Sequence, residues 1–316
     1  MPTGLRGVSG GARARCDNVA MSRITARRRV TRYTLGERTS RREDELTVEE
    51  PLEVRVGGRP LAVTMRTPGH DVELALGLLV SEGIVRNHDD VVGARHCTGD
   101  EASDGEFNVL DVTLAAGAPP IPIGARHALT MTSACGLCGK DSIDAVRQRS
   151  AYDVADDPIT VDPAWVVGLP DRMREAQALF ARTGGLHAAA LVDIERDELL
   201  VVREDVGRHN AVDKVVGWAV REGRLPLRGT VLVVSGRAGF ELAQKASMAG
   251  VPMLAAVSAP SSLAVDLASE VGLTLAGFVR GTSMVVYAGD ERVRPATEHA
   301  ASEHAASEHA ASVALA

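Results

Sequence analysis

"TVLVVSGRAGFELAQKASMAGVPMLAAVSAPSSLAVDLASEVGLTLAGF", residues 230–278, decides the fold. Its short apolar runs, "TVLVVSG", "PMLAAVS" and "LTLAGF", suit strands buried on both faces. Between them, "AGFELAQKASMAG" and "SSLAVDLASEVG" read as helices, and the alternation predicts parallel strands joined by right-handed crossovers. Ligands of such sheets bind where the carboxyl ends of the strands open. Here those ends are Ser235-Gly236-Arg237, Ser258-Ala259-Pro260 and Phe278-Val279-Arg280. Either arginine alone reads as a solvated loop residue, but Arg237 and Arg280 on one rim, with helix N-termini beside them, form a candidate anion cradle. No G-x-x-x-x-G-K-[ST] or G-x-G-x-x-G accompanies them, so neither ATP nor NAD is indicated.

Upstream, "GRHNAVDKVVGWAVREG" spaces Val212, Val215, Val216, Ala219 and Val220 as the buried face of a helix. Arg208 and His209 stand at its start, where anions bind well. "HAAALVDI" and "ELLVVRE" read as strands, and His187 as a hydrogen-bonded structural histidine. The segment 162–185 reads as one helix after Asp162, with Pro163 in the first turn and Gly184 at the end. Earlier, "LTVEEPLEVRVGGRPLAVTM" alternates on either side of Gly57-Gly58, a hairpin signal. "TPGHDVELALGLLVSEGIV" follows as a helix that Asp71 caps, with Val72, Leu76, Leu79 and Val80 on one face. "FNVLDVTL" is a further strand, and a Gly/Pro-rich stretch then leads into a loop.

The 316 residues therefore divide into a basic arm (1–24), a smaller N-terminal α+β region (25–125), a loop (126–150), a C-terminal α/β domain (151–292) and a low-complexity tail (293–316). A hydrophobic content of 45% with 3% aromatics gives a core of Val, Leu and Ala. No apolar run reaches the length of a membrane span. The net charge of −7 is unevenly placed: residues 1–42 hold eleven of the 35 basic residues and two of the 42 acidic ones. Without interleaved aromatics, the arginine-rich start reads as a solvated tail rather than a nucleic-acid arm.

Four cysteines form no disulfide framework, and Cys97 reads as a passive core thiol. In "TSACGLCGKD", residues 132–141, Cys135 and Cys138 admit three readings. One C-x-x-C supplies only half of a structural zinc site, and no second one exists; the histidines are scattered. The spacing suits a redox disulfide, with Lys140 lowering a thiol pKa, yet a thioredoxin-like site belongs after an early strand. A sulfur relay is the third: small neighbours leave both sulfurs accessible. Residue chemistry alone permits all three.

Six motifs change that balance: "TPGHDVELALGLLVSEGIV", "SACGLCGK", "TGGLHAAAL", "REDVGRHNAVDKVVGWA", "VVSGRAGFELAQKASMAGVPMLAAVSAPSSLAVDLA" and "GFVRG" occur in this order. Together they resemble the FdhD family, the sulfurtransferase accessory proteins of formate dehydrogenases, over residues 25–290. The resemblance implies a cytoplasmic homodimer with a three-layer, cytidine-deaminase-like α/β main domain, lacking deaminase chemistry because the zinc and general-acid residues are missing. It implies a persulfide relay: sulfur is accepted from a cysteine desulfurase and passed to the molybdenum bis(molybdopterin guanine dinucleotide) cofactor of formate dehydrogenase. On this likeness Cys135 carries the persulfide and Cys138 assists. The cofactor is bound as substrate by Phe278, Val279, Arg280, Gly281, Thr282 and Ser283, joined by the rim residues Arg237, Arg208 and His209. No resident metal, nucleic acid or membrane is implied. A chaperone that shelters the cofactor without moving sulfur is the alternative. Gly239 departs from the pattern, since relatives often carry a small hydroxyl residue there.

Overall fold

The computed structural model describes residues 24–97, 107–120, 129–130 and 150–295. The chain opens with an antiparallel ribbon, β1 (Thr25–Arg32) and β2 (Ser40–Thr47), paired from Thr25↔Thr47 to Arg32↔Ser40. The arginine-rich start thus continues into strands, where its sequence suggests a solvated tail. The ribbon has no apolar stripe from which those strands could be read.

Next come β3 (Glu50–Val56) and β4 (Arg59–Arg66), joined over Gly57 and Gly58. Both glycines have positive φ (57° and 77°), the requirement of a tight hairpin turn. After α1 (Asp71–Ser81), β5 (Val91–His96), β6 (Val109–Leu114) and β7 (Leu129–Thr130) complete a five-stranded sheet in the order β5-β6-β3-β4-β7. The cap of α1 is His70, in the left-handed region, and not Asp71. Asp71 is the first helical residue, and its carboxylate accepts from both Nε and Nη2 of the fully buried Arg66.

The second half begins with α2 (Pro163–Glu175) and α3 (Ala178–Thr183), which replace the single expected helix. The break at Ala176–Gln177 has an electrostatic cause. The Glu204 carboxylate accepts the Leu179 and Phe180 amides at 2.9 and 2.7 Å, which starts a new helix N-terminus there. The expected ends hold: Asp162 caps α2 through the Ala164 amide, and Gly184, at φ 67°, closes α3. Then follow β8 (His187–Asp193), β9 (Glu198–Asp205), α4 (Arg208–Arg221), β10 (Thr230–Val234), α5 (Phe240–Met248), β11 (Met253–Ala256), α6 (Ser262–Val271), β12 (Thr274–Arg280) and β13 (Ser283–Ala288). The six-stranded sheet has the order β13-β12-β11-β10-β8-β9. Its centre, β10-β11-β12, is parallel as the opening segment predicts, and the flanking pairs are antiparallel.

One large apolar cluster takes residues from both sheets, including Leu52, Leu110, Leu191 and Leu232, and from α1, α4 and α5. A smaller one lies on the opposite face of the six-stranded sheet, under Val166, Leu169 and Met173 of α2. Helix α1 is buried almost all round rather than on one stripe, because it has core on both sides. Where α1 meets α4 the two backbones nearly touch. A Cβ at Gly77 would stand 1.9 Å from the Asp213 carbonyl oxygen, and one at Gly217 would stand 1.7 Å from that of Glu73. The helices therefore run antiparallel, with a glycine of each seated on the other's backbone.

The same crossing collects charge. Glu73 accepts from Arg203 Nε and Nη2 at 2.6 and 3.0 Å and from Arg221 at 3.2 Å, with His70 Nδ1 at 3.2 Å. Asp213 holds the Lys245 ammonium at 2.7 Å and Ser81 at 3.0 Å. Lys214 and Asp205, both buried, pair at 2.7 Å; Lys214 also donates to the Thr67 carbonyl. Burial alone would raise the Glu73 pKa, but His70 and Arg203 overcome it and bring it down from 4.5 to about 2.

Two outcomes follow for stability. Gly217→Ala forces apart two helices that cannot separate without breaking the core, so it costs about 3 kcal/mol or more in urea unfolding. The depressed Glu73 carboxyl contributes stability that is fully present above pH 4.5 and is lost as pH falls toward about 2. Glu73→Gln should lower stability at neutral pH by roughly 3 kcal/mol and flatten the acid limb of the stability profile.

Candidate functional site

The carboxyl ends of β10, β11 and β12 share one rim with the start of β8 and the end of β9. Past the strands, two loops continue the sheet: the Ser258 amide donates to Gly236 O, the Ala238 amide to Ala259 O, and the Phe278 amide to Ser258 O. Helices α5 and α6 begin on this rim. Ser261 caps α6 by accepting from the Ala264 amide at 3.3 Å, whereas the cap of α5 is Gly239, which offers no side chain. Nothing lies within 4 Å of a Cβ at Gly239, so a small side chain would fit there.

Between the rim and α2–α3 opens a cavity of about 540 Å³. Arg174, Gln177 and Phe180 line one wall; His187, Ser235, Val257 and Arg280 line the other. The Arg174 guanidinium lies 3.7 Å over the Phe180 ring. Gln177 is 3% exposed, and its Nε2 has no hydrogen-bond partner among the described residues. Ser235 Oγ accepts from the Ala188 amide at 2.9 Å, which fixes the loop that leaves β10.

Gly236 packs against both His187 and Arg208. A Cβ there would meet His187 Nδ1 at 3.4 Å and Arg208 Cδ at 3.9 Å. Burial first, then the charges of Arg208 and His209, pull the His187 pKa below its ordinary 6.5, so the imidazole is neutral near pH 7. Arg208 opens α4, and its Nε is buried without a hydrogen-bond partner among the described residues. Buried donors without a partner are uncommon in folded proteins. His209 turns the other way: it is 7% exposed, with Nε2 2.9 Å from Glu241 Oε2. That contact is not aligned as a hydrogen bond, and both Glu241 oxygens are otherwise buried without hydrogen-bond partners among the described residues.

Of the residues expected from the sequence, Arg280 lines the cavity, while Arg237 is exposed on the rim outside its lining. Arg280 also lies 5.7 Å from the centroid of the Phe278 ring. Phe278 itself has φ 52°, a strained conformation for an aromatic residue, at a register shift between β12 and β13. The Val279 side chain is fully buried in the smaller cluster. Gly281 (φ 59°) and Thr282 form the turn into the exposed Ser283. Cys135 and Cys138 lie outside the described residues. Cys97 is buried, as its sequence context suggests. Sequence reasoning missed Arg174, Gln177, Phe180 and Glu241, whose one local signal is the polar Gln177 at the helix break.

Fold and rim together define an α/β protein with a basic, cavity-bearing edge at the carboxyl ends of its parallel strands. The model of the FdhD/NarQ family matches residues 47–294. The sulfur carrier protein FdhD of Streptomyces avermitilis is 56% identical over 276 residues, spanning 86% of this chain and 97% of that protein. The protein of the same name from Nocardia farcinica is 55% identical over 274 residues, with 86% and 96% covered. That from Mycobacterium tuberculosis is 51% identical over 277 residues, with 86% and 100% covered. The chain belongs to the FdhD/NarQ family. Its fold is shared with a crystal structure from Desulfotalea psychrophila, described as that of a candidate formate dehydrogenase accessory protein. The TM-score is 0.65 at 20% identity, over 86% of this chain and all of that one. Among the described residues, no helix is long and apolar enough to cross a membrane.

The rim allows a direct measurement. Arg208→Gln removes the cation nearest His187, so the imidazole pKa rises toward its ordinary value, read by NMR titration of the ring protons.

Proposed function

We infer that this protein is a sulfur carrier and sulfurtransferase in the maturation of formate dehydrogenase. It takes sulfur from a cysteine desulfurase and passes it to the molybdenum bis(molybdopterin guanine dinucleotide) cofactor, bound as substrate. The observation that carries the reading is the likeness of nearly the whole described chain to relatives named sulfur carrier proteins. In the first step the Cys135 thiolate attacks the outer sulfur of the donor's persulfide. The donor's S–S bond breaks, its cysteine leaves as thiolate, and Cys135 becomes the persulfide. Cys138 assists release. The small neighbours Ser133, Ala134, Gly136 and Gly139 favour access to both thiols.

The cofactor is an anion with phosphates and a planar base, and the rim's chemistry suits it. Arg280 and Arg208 offer charge, the latter with an unpartnered donor; Arg237 extends the basic edge; the Phe278–Ser283 turn sits beside the cavity. His209, tied to Glu241, orients the start of α4 beneath Arg208. Helices on both faces of the six-stranded sheet support the deaminase-like layering of the main unit, with the smaller α+β unit before it. A cytoplasmic homodimer completes the reading.

The test is intact-mass analysis after incubation with an active cysteine desulfurase and cysteine. The expected result is a gain of one sulfur atom that reductant reverses and Cys135→Ala abolishes. No gain in the wild type would favour a cofactor chaperone, for which both cysteines are dispensable and Arg280 and Arg208 are not.

A further inference from the structure

The β1–β2 ribbon contributes no buried residue to the fold. Among the described residues its strands hydrogen-bond in a sheet only to each other, and an isolated two-stranded ribbon is marginal in water. Among the described residues only its base is anchored. The Val48 amide donates to Ile24 O at 2.9 Å, Thr47 Oγ1 to Thr183 Oγ1 at 3.0 Å, and Arg182 pairs with Glu45.

Charge divides along its length. Near the base Arg27, Arg28 and Arg29 stand opposite Glu45, Asp44 and Glu43. Toward the tip Val30, Thr31 and Arg32 stand opposite Arg42, Arg41 and Ser40. Arg38 adds to these, so the distal half holds four arginines and one acid, Glu37, with Arg42 paired to Asp44 at 3.3 Å. On the connecting turn Tyr33 is 77% and Leu35 101% exposed. Arginine and tyrosine are the side chains that concentrate binding energy at protein interfaces. The anchored end meets α3, and a Cβ on Gly185 would lie 3.8 Å from Thr47 Oγ1. Phe180, Gly184 and Gly185 line the cavity, so the ribbon's base borders the cavity wall.

We propose that the ribbon is a docking arm for an acidic protein surface with an apolar depression, carried by the protein that receives what the cavity holds. Its identity as formate dehydrogenase rests on the functional reading above. A long polyanion is a poor occupant. Beyond residue 42 the chain holds 24 basic residues against 40 acidic ones, which repel nucleic acid or an anionic bilayer lying along it. A compact acidic epitope meets the tip alone. A second copy gripped reciprocally would close both cavities, leaving neither free to hand on its contents.

The probe is purified, cofactor-free formate dehydrogenase from the same organism, titrated with the full chain at low and high salt. Wild type should bind, and more weakly as salt rises. Reversal of the tip (Arg32→Glu, Arg38→Glu, Arg41→Glu, Arg42→Glu together) should weaken binding by about tenfold or more and remove most of the salt dependence. Tyr33→Ala with Leu35→Ala should weaken it at high salt too. Neither variant disturbs a buried residue, so both should melt as wild type does. The inference fails if wild type does not bind the enzyme or if both variants bind it unchanged. It also fails if tip reversal abolishes only self-association, or only binding to nucleic acid or to phosphatidylglycerol vesicles. Persulfide loading is read in parallel: its absence in wild type would sink the sulfur-carrier reading, while enzyme binding would judge the ribbon separately.

Discussion

The contact on which the molecule depends is the backbone-to-backbone crossing of α1 and α4. Helix α1 follows the hairpin of one sheet, and α4 follows β9 of the other, so their approach fixes how the halves meet. Glycine at 77 and 217 permits a separation that no larger side chain allows. Closeness has an electrostatic consequence, because it draws Glu73 and Asp213 inside. His70 and Arg203 hold Glu73 charged there, whereas burial pushes the Asp213 carboxyl up against the opposing pull of Lys245, since an unpaired buried charge costs several kcal/mol. Packing and charge thus specify one register of one helix pair. That register also places the start of α4, and with it Arg208 and His209, on the rim.

Charge is distributed by purpose elsewhere too. The body is acidic, yet basic groups gather at the cavity edge and on the ribbon. At the edge they act with backbone: the bare cap of α5 leaves its first amides uncovered by a side chain. A neutral His187 beside Arg208 adds a polar surface without adding to the local charge. The strained Phe278 sits at the register shift between β12 and β13, two residues before β12 ends.

Much of this was legible in the sequence wherever burial leaves a periodic trace. The β10–β12 strands are continuous apolar runs because both faces are covered, and their carboxyl ends located Arg280 correctly. Gly57-Gly58 announced its turn. Burial leaves no trace in β1 and β2, whose strands are made by pairing alone. The α2–α3 break is written in Glu204, more than twenty residues away, and so is invisible in the local pattern. Gly77 and Gly217 look like weak points in two helices until the helices are brought together. Gln177 and Glu241 matter through what surrounds them, which no short window contains. The cysteine motif was the loudest signal in the chain, and its meaning came from family likeness rather than from geometry.

The unequal covering of the six-stranded sheet has a dynamic consequence. One face is sealed by the large cluster that unites both sheets, while the face bearing the cavity is closed by α2 and a smaller cluster. Local opening costs least where least apolar surface is covered. Amide hydrogens of α2 and α3 should therefore exchange with solvent well before those of β10 and β11. The wall that closes the cavity is the part of the molecule that can breathe while the glycine crossing stays shut.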